Sequence, residues 1–268
     1  MNTLPAGGRP GRLLSYGGGA ERIAELFLPT GGAPTALVLF LHGGYWRAAF
    51  DRTHARPLAA DLAHRGYAVL LPEYRRVGQP GGGWPGTLLD VAAAVDLLPA
   101  ELPPPLPLLL AGHSAGGQLA LWAAARHLLP PGAPGWSGQP SRVAGVLALA
   151  PVADLSAAYR RGLGDGATAA FLGGGPDDWP HRYRAADPTG LGAPGVPVTI
   201  LHGLADETVP AELSSAYAAD GRAEVVLLPG ADHFGVITPG SAVWPRVLAA
   251  LAALVRRVAS QPPGDRTD

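Results

Sequence analysis

LLLAGHSAGG, residues 108–117, joins an apolar run to a long alanine-rich segment through Gly112-His113-Ser114-Ala115-Gly116. A strand, then G-x-S-x-G, then a helix is the context in which that pattern carries meaning. The serine stands on a sharp turn, with its oxygen lifted out at the carboxyl end of a sheet. Gly112 and Gly116 leave room where the strand and helix backbones pass close together. As five letters the pattern is weak in a chain rich in Gly, Ser and Ala, and a plain tight turn would read the same. The flanking strand and helix favour a nucleophile.

On both sides of that turn, short apolar runs alternate with helical stretches. Arg12–Tyr16 reads as a short edge strand and Arg22–Leu28 as a strand. Ala36–Leu41, Tyr67–Leu71, Val143–Ala150, Val196–Leu201 and Glu224–Leu228 are further strands, mostly continuous apolar runs of the buried kind. Helices are expected over Asp51–Arg65 with Asp51 as N-cap, Thr87–Leu98, Ala115–Leu128 and around Ala211–Ala219. A final helix ends near Val258, with Pro245 in its first turn. The alternation predicts an α/β fold: a mostly parallel central sheet, helices on both faces, and a site at the carboxyl ends of the strands. No G-x-G-x-x-G opens a helix after the first strands and there is no P-loop, which argues against a nucleotide-binding relative. From Val152 to Gly192 no clear strand occurs. That is too long for a simple loop, so a lid-like insertion with its own helices is expected. The whole chain, 1–268, reads as one domain, with a Gly/Pro-rich start at Met1–Gly11 and a flexible polar tail at Ser260–Asp268.

Composition narrows the function. The 268 residues are 47% hydrophobic, enough for a sizeable core, and all 20 basic residues are Arg. A net charge of −1 without charge runs gives no footprint for nucleic acid or for a charged membrane surface. The absence of Cys excludes disulfides, thiol catalysis and thiolate metal sites. The N-terminus lacks an apolar signal core, and no apolar run approaches the roughly 18 residues of a membrane span. A soluble, cytoplasmic protein is expected; its oligomeric state is open.

A serine nucleophile needs a base to take its proton and an acid to orient that base, in the chain order Ser, Asp or Glu, His. Four of the eight histidines follow Ser114: His127, His181, His202 and His233. His127 lies near the end of the helix leaving the turn, His181 falls in the insertion, and His202 would need its acid earlier. His233, in PGADHFG at 229–235, lies in a glycine-containing loop directly after a strand and is the expected base. The acid should leave the preceding strand, where HGLADETVP at 202–210 offers Asp206, with Glu207 as the alternative. Asp154 reads better as a helix N-cap. An oxyanion hole requires the N–H of Ala115 and N–H groups from the loop after the third strand, where HGGYW stands at 42–46. There is no H-E-x-x-H, and neither metal nor cofactor is expected.

HGGYW, GHSAGG at 112–117, HGLADETVP and GADHFG at 230–235 together resemble the α/β-hydrolases. Within them the chain looks like the branch of arylformamidases (kynurenine formamidases) and hormone-sensitive-lipase-like carboxylesterases, over roughly Tyr16 to Val258. HGG followed by Tyr-Trp is more similar to arylformamidases, because the lipase-like esterases usually carry a third glycine where Tyr45 stands. The resemblance implies oxyanion donors at Gly44, Tyr45 and Ala115 and a bracing role for His42. Trp46 would either wall the substrate pocket or pack beneath the loop. Glu73-Tyr74-Arg75 would hold loops near the site, or else form a solvated strand end. The implied activity is hydrolysis of a small carboxylic ester or aryl formamide through an acyl-enzyme. A non-catalytic binding protein of the same fold and a small peptidase or amidase are the rivals. Substrate choice is expected to lie in the insertion and the loop Gln79–Trp84. Phe171, Leu172 and Trp179 could line an entrance or form the insertion's own core.

Overall fold

The apolar runs become strands β1 (Arg12–Ser15), β2 (Ile23–Phe27), β3 (Leu37–Leu41), β4 (Ala68–Pro72), β5 (Leu108–His113), β6 (Val143–Leu149), β7 (Val198–Gly203) and β8 (Glu224–Leu228). The computed structural model describes residues 11–102, 106–140 and 142–260; most of the expected N-terminal stretch and the tail after Ser260 lie outside them. The strands form one sheet in the order β1-β2-β4-β3-β5-β6-β7-β8. From β4 to β8 every neighbouring pair is parallel. The first two strands depart from that rule, since β1 pairs with β2 and β2 with β4 antiparallel. Chain length explains the departure. A parallel crossover needs about a dozen residues or more, and the β1–β2 connection is too short for one. So is the β2–β3 connection, which sets β2 opposite in direction to β3 and hence to β4, itself parallel to β3.

Helices cover both faces, and β3 shows how one strand serves two cores. Leu37, Leu39 and Leu41 join the cluster that contains α2 (Gly86–Leu97) and α3 (Ala115–Ala125). Val38 and Phe40 join the cluster of α1 (Arg56–His64) and the last helix, Trp244–Ala259. A strand buried on both sides must be apolar at every position. A single 3-10 turn, Arg52–Ala55, precedes α1, and Asp51 caps it by accepting from the Thr53 N–H.

The insertion contains α4 (Leu155–Arg160), α5 (Leu163–Leu172), α6 (Pro180–Ala186) and α7 (Pro188–Leu191), with no strand among its described residues. Phe171 and Leu172 are buried in the main core, whereas half-buried Trp179 lies under the Arg182 guanidinium. Helix α3 is buried on all sides, so its two polar-capable side chains need partners. Gln118 donates to the Ala186 carbonyl at 2.9 Å, and Trp122 Nε1 donates to the Ala185 carbonyl at 2.8 Å. Those two bonds fasten the insertion to the helix that follows Ser114.

After the insertion come α8 (Glu212–Tyr217) and α9 (Trp244–Ala259), with Pro245 in the first turn of α9. β7 runs two residues past the expected end, which puts His202 inside the sheet. Among the described residues no helix is long and apolar enough to cross a membrane.

Trp122 is fully buried, and truncating a buried tryptophan typically costs about 3–5 kcal/mol. Trp122→Ala is therefore expected to lower the unfolding free energy by about that amount. Urea denaturation measures it, and a loss below about 1 kcal/mol would show that the insertion is not held this way.

Candidate active site

Ser114 stands between β5 and α3 with φ 56° and ψ −118°. A non-glycine residue held there costs about 1–3 kcal/mol and persists only where its surroundings fix it. Here the Ser114 N–H donates to the Leu149 carbonyl at 2.9 Å, and the Ser114 carbonyl accepts from Gln118 and Val152, each at 3.1 Å. The end of β6 thus grips the turn on one side. On the other side the approach is too close for any side chain. A Cβ on Gly116 would collide with the Leu41 and His42 carbonyls, and one on Gly112 with the Gly116 carbonyl. A Cβ on Gly43 would lie 3.2 Å from that of Ser114, so the His42–Trp46 loop rests against the serine.

That loop bends through successive positive φ values: Gly44 at 110°, Tyr45 at 50° and Trp46 at 56°. Three side chains hold it there. Tyr45 donates its hydroxyl to the Thr208 carbonyl at 2.9 Å. Trp46 donates Nε1 to Gln118 Oε1 at 3.0 Å and stacks on Phe171, with 4.6 Å between centroids. Arg47 reaches the Gly164 and Asp165 carbonyls of the insertion. Trp46 is fully buried, which is the packing alternative rather than the pocket wall.

Beneath the loop lies Glu73. Its carboxylate faces His42 Nε2 at 2.8 Å, the Tyr74 and Arg52 N–H groups at 3.1 Å each, and the Arg76 guanidinium at 3.3 Å. Tyr74 stacks on His42 and donates to the His42 carbonyl at 2.7 Å. Arg75 forks onto Asp90. Burial raises the Glu73 pKa, but the hydrogen bond and charge of His42, followed by Arg76, outweigh it and hold the carboxyl below its ordinary value. Glu73-Tyr74-Arg75 is therefore a buried brace and not a solvated strand end.

The acid and base candidates meet at the carboxyl ends of β7 and β8. Asp206 Oδ2 accepts from His233 Nδ1 at 2.6 Å, while Oδ1 accepts from the Thr208 and Val209 N–H groups at 2.8 Å each. Glu207 is exposed. Burial pushes the Asp206 pKa up, yet the hydrogen bonds from His202 and His233 carry it well below the ordinary carboxylate range. With Nδ1 donating to Asp206, His233 has Nε2 free as a proton acceptor. His127 and His181 are exposed, and Asp154 caps α4 by accepting from Ala157 at 2.7 Å. A cavity of about 680 Å³, lined by His127, Arg142, Val143 and Val196 among others, opens at the opposite end of the strands from Ser114.

Three neighbours escape a reading by chain order. His113 donates Nε2 to the His233 carbonyl at 2.9 Å, its ring 4.5 Å from the His233 ring. Burial, and then the neighbouring His233, push the His113 pKa well below its ordinary value. His202 also lies against Asp206, at 3.2 Å. Gln118 ties Trp46 to the insertion, and a lone amide within AGGQLALWAAA was the available signal.

A family model described as BD-FAE matches residues 25–220. The chain is 33% identical over 114 residues to the Mycobacterium tuberculosis protein named "Probable carboxylic ester hydrolase LipM", a match over 41% of this chain and 26% of that protein. It thus spans about a quarter of the length of that curated relative. A solved structure from Silicibacter sp. TM1040, described as a thioesterase candidate, is similar at 28% identity and TM-score 0.70 over 92% of this chain and 85% of its own. Esterase B from Lactobacillus rhamnosis superposes with TM-score 0.77 at 20% identity, over 97% and 90%. The sheet and these superpositions make this the α/β-hydrolase fold.

The brace makes a pH-dependent contribution. Because the folded pKa of Glu73 lies below its unfolded value, the stability it adds is full above about pH 4.5 and is lost as pH falls through the folded pKa. Glu73→Gln leaves two guanidinium groups short of a partner and is expected to cost about 3–5 kcal/mol at pH 7. The gap to wild type should shrink under acid, as measured by denaturation at both pH values; a gap that does not shrink removes the charge argument.

Proposed function

The chain belongs to the BD-FAE family, and from that footing we propose that it is a serine hydrolase of carboxylic esters. The observation that supports this reading is the 2.6 Å bond between Asp206 and His233; a serine at φ 56° on a strand-to-helix turn supports it independently. In the proposed reaction Ser114 Oγ attacks the ester carbonyl carbon as its proton passes to His233 Nε2. Asp206, kept ionised by its hydrogen bonds, holds the imidazole with Nε2 toward the serine and stabilises the imidazolium. The N–H groups of Gly44, Tyr45 and Ala115 receive the oxyanion; removing one such donor typically costs about 3 kcal/mol of transition-state stabilisation. Collapse expels the alcohol, which takes the proton from His233. Water then attacks the acyl-enzyme by the same route and releases the acid.

A second reading, an aryl formamide substrate, draws on the Tyr45-Trp46 pair that follows His42-Gly43-Gly44. The names of LipM and esterase B favour the ester. Since folds of this kind host many chemistries, the choice belongs to assay.

A fluorophosphonate probe is expected to label the wild type and not Ser114→Ala; labelling that persists in the variant would remove Ser114 as nucleophile. In parallel assays, turnover of p-nitrophenyl acyl esters is expected. Turnover of N-formyl-kynurenine without any ester would favour the second reading. Ligand binding with no turnover in either panel would leave a non-catalytic protein.

A further inference from the structure

His202 has no part in the proposed proton transfer, yet it is fully buried and is built against the acid. Its Nε2 faces two acceptors, the Val209 carbonyl at 2.8 Å and Asp206 Oδ2 at 3.2 Å, so Nε2 carries the proton. Its Nδ1 faces Ser214 Oγ of α8 at 2.7 Å, and Ser214 is itself fully buried. A hydroxyl that donates to Nδ1 favours the tautomer with the proton on Nε2. The opposite tautomer would aim a lone pair at a carboxylate.

The turn after His202 closes a ring of bonds. Val209 accepts from His202 through its carbonyl and donates its N–H to Asp206 Oδ1. Two backbone N–H groups fix Oδ1, and two imidazoles meet at Oδ2: His202 from β7 and His233 from the loop after β8. Tyr45 from the loop after β3 and His113 of β5 also feel the Asp206 charge, and His113 faces His233. Oδ1 is thus anchored locally, whereas the direction of Oδ2 depends on what lies behind it.

We propose that His202 is a positioning residue for the reaction: with Ser214 setting its tautomer, it holds Asp206 Oδ2 in the line that orients His233. The inference rests on Asp206 and His233 acting as acid and base. A purely structural His202 would stitch β7 to the following turn and affect only stability. A positioning His202 sets the geometry of the Asp206–His233 bond and hence the chemical step.

The full chain and four variants, His202→Leu, His202→Gln, Ser214→Ala and Asp206→Asn, separate these roles. The readouts are kcat and KM on a p-nitrophenyl ester, the far-downfield proton resonance of the His233–Asp206 hydrogen bond, and circular dichroism for folding. His202→Leu is expected to lower kcat about 10-fold or more with KM unchanged, as for loss of one hydrogen bond to a charged group, and to shift or abolish the resonance. Glutamine carries two amide N–H groups and should restore most of kcat and the resonance. Ser214→Ala should shift both in the direction of His202→Leu by a smaller amount, and it carries the test if His202→Leu does not fold. Wild-type kcat and resonance in folded His202→Leu, or in Ser214→Ala where only that variant folds, would overturn the proposal. Wild-type kcat in Asp206→Asn would instead overturn the acid assignment beneath it.

Discussion

A serine forced to φ 56° is the constraint around which this molecule closes. No side chain fits at Gly112 or Gly116, because the end of β3, the turn and the first residues of α3 occupy nearly the same space. The approach brings the loop after β3 against Ser114. It also requires β5 to lie beside β3 and β6 in a parallel sheet, so that three strand ends converge on one turn. The strain is met by backbone bonds from β6 and by the burial of α3, both remote from any chemistry.

Buried carboxylates do the second part of the organising, and their surroundings decide their charge. Glu73 and Asp206 each lie beneath a loop, and each is met by imidazole and backbone N–H groups, so both are held below the ordinary range despite burial. Asp187, in the insertion, is equally hidden but faces Asp154 and neutral donors from Leu155, Ser156 and Thr189. Burial, then that like charge, push it up to about 6. The contrast follows from the partners alone: a desolvated carboxylate stays ionised where cationic or potentially cationic donors surround it.

Much of this was readable from residues, and the unread parts have physical causes. Strands buried on both faces are continuous apolar runs, so β3, β5, β6 and β7 stood out within a residue or two. Strand order did not, because no local pattern tells β2 to pair with β4 and not β3. Ser114, Asp206 and His233 fell out of chain order and strand ends, and the structure brings the last two to 2.6 Å. The same logic set His202 aside, since it asks what precedes what and not which side chain points back at its own turn. His113 was hidden as the variable letter of a motif. Trp46 could be read two ways because an aromatic beside a loop serves packing and recognition alike; only its burial and its stack on Phe171 separate them.

The left-handed bend at Gly164, Asp165 and Gly166 has a bearing on how such a scaffold diversifies. Gly164 lies against the Tyr45 ring with no room for a Cβ, and Arg47 clasps the carbonyls of Gly164 and Asp165. The insertion and the loop after β3 are therefore one mechanical piece, although β4, β5 and β6 separate them along the chain. An insertion of this kind cannot be traded between relatives as a cassette. Any graft that changes its entry turn also redraws the ground on which Tyr45 stands, so changes in this region must arrive in concert with changes in the loop.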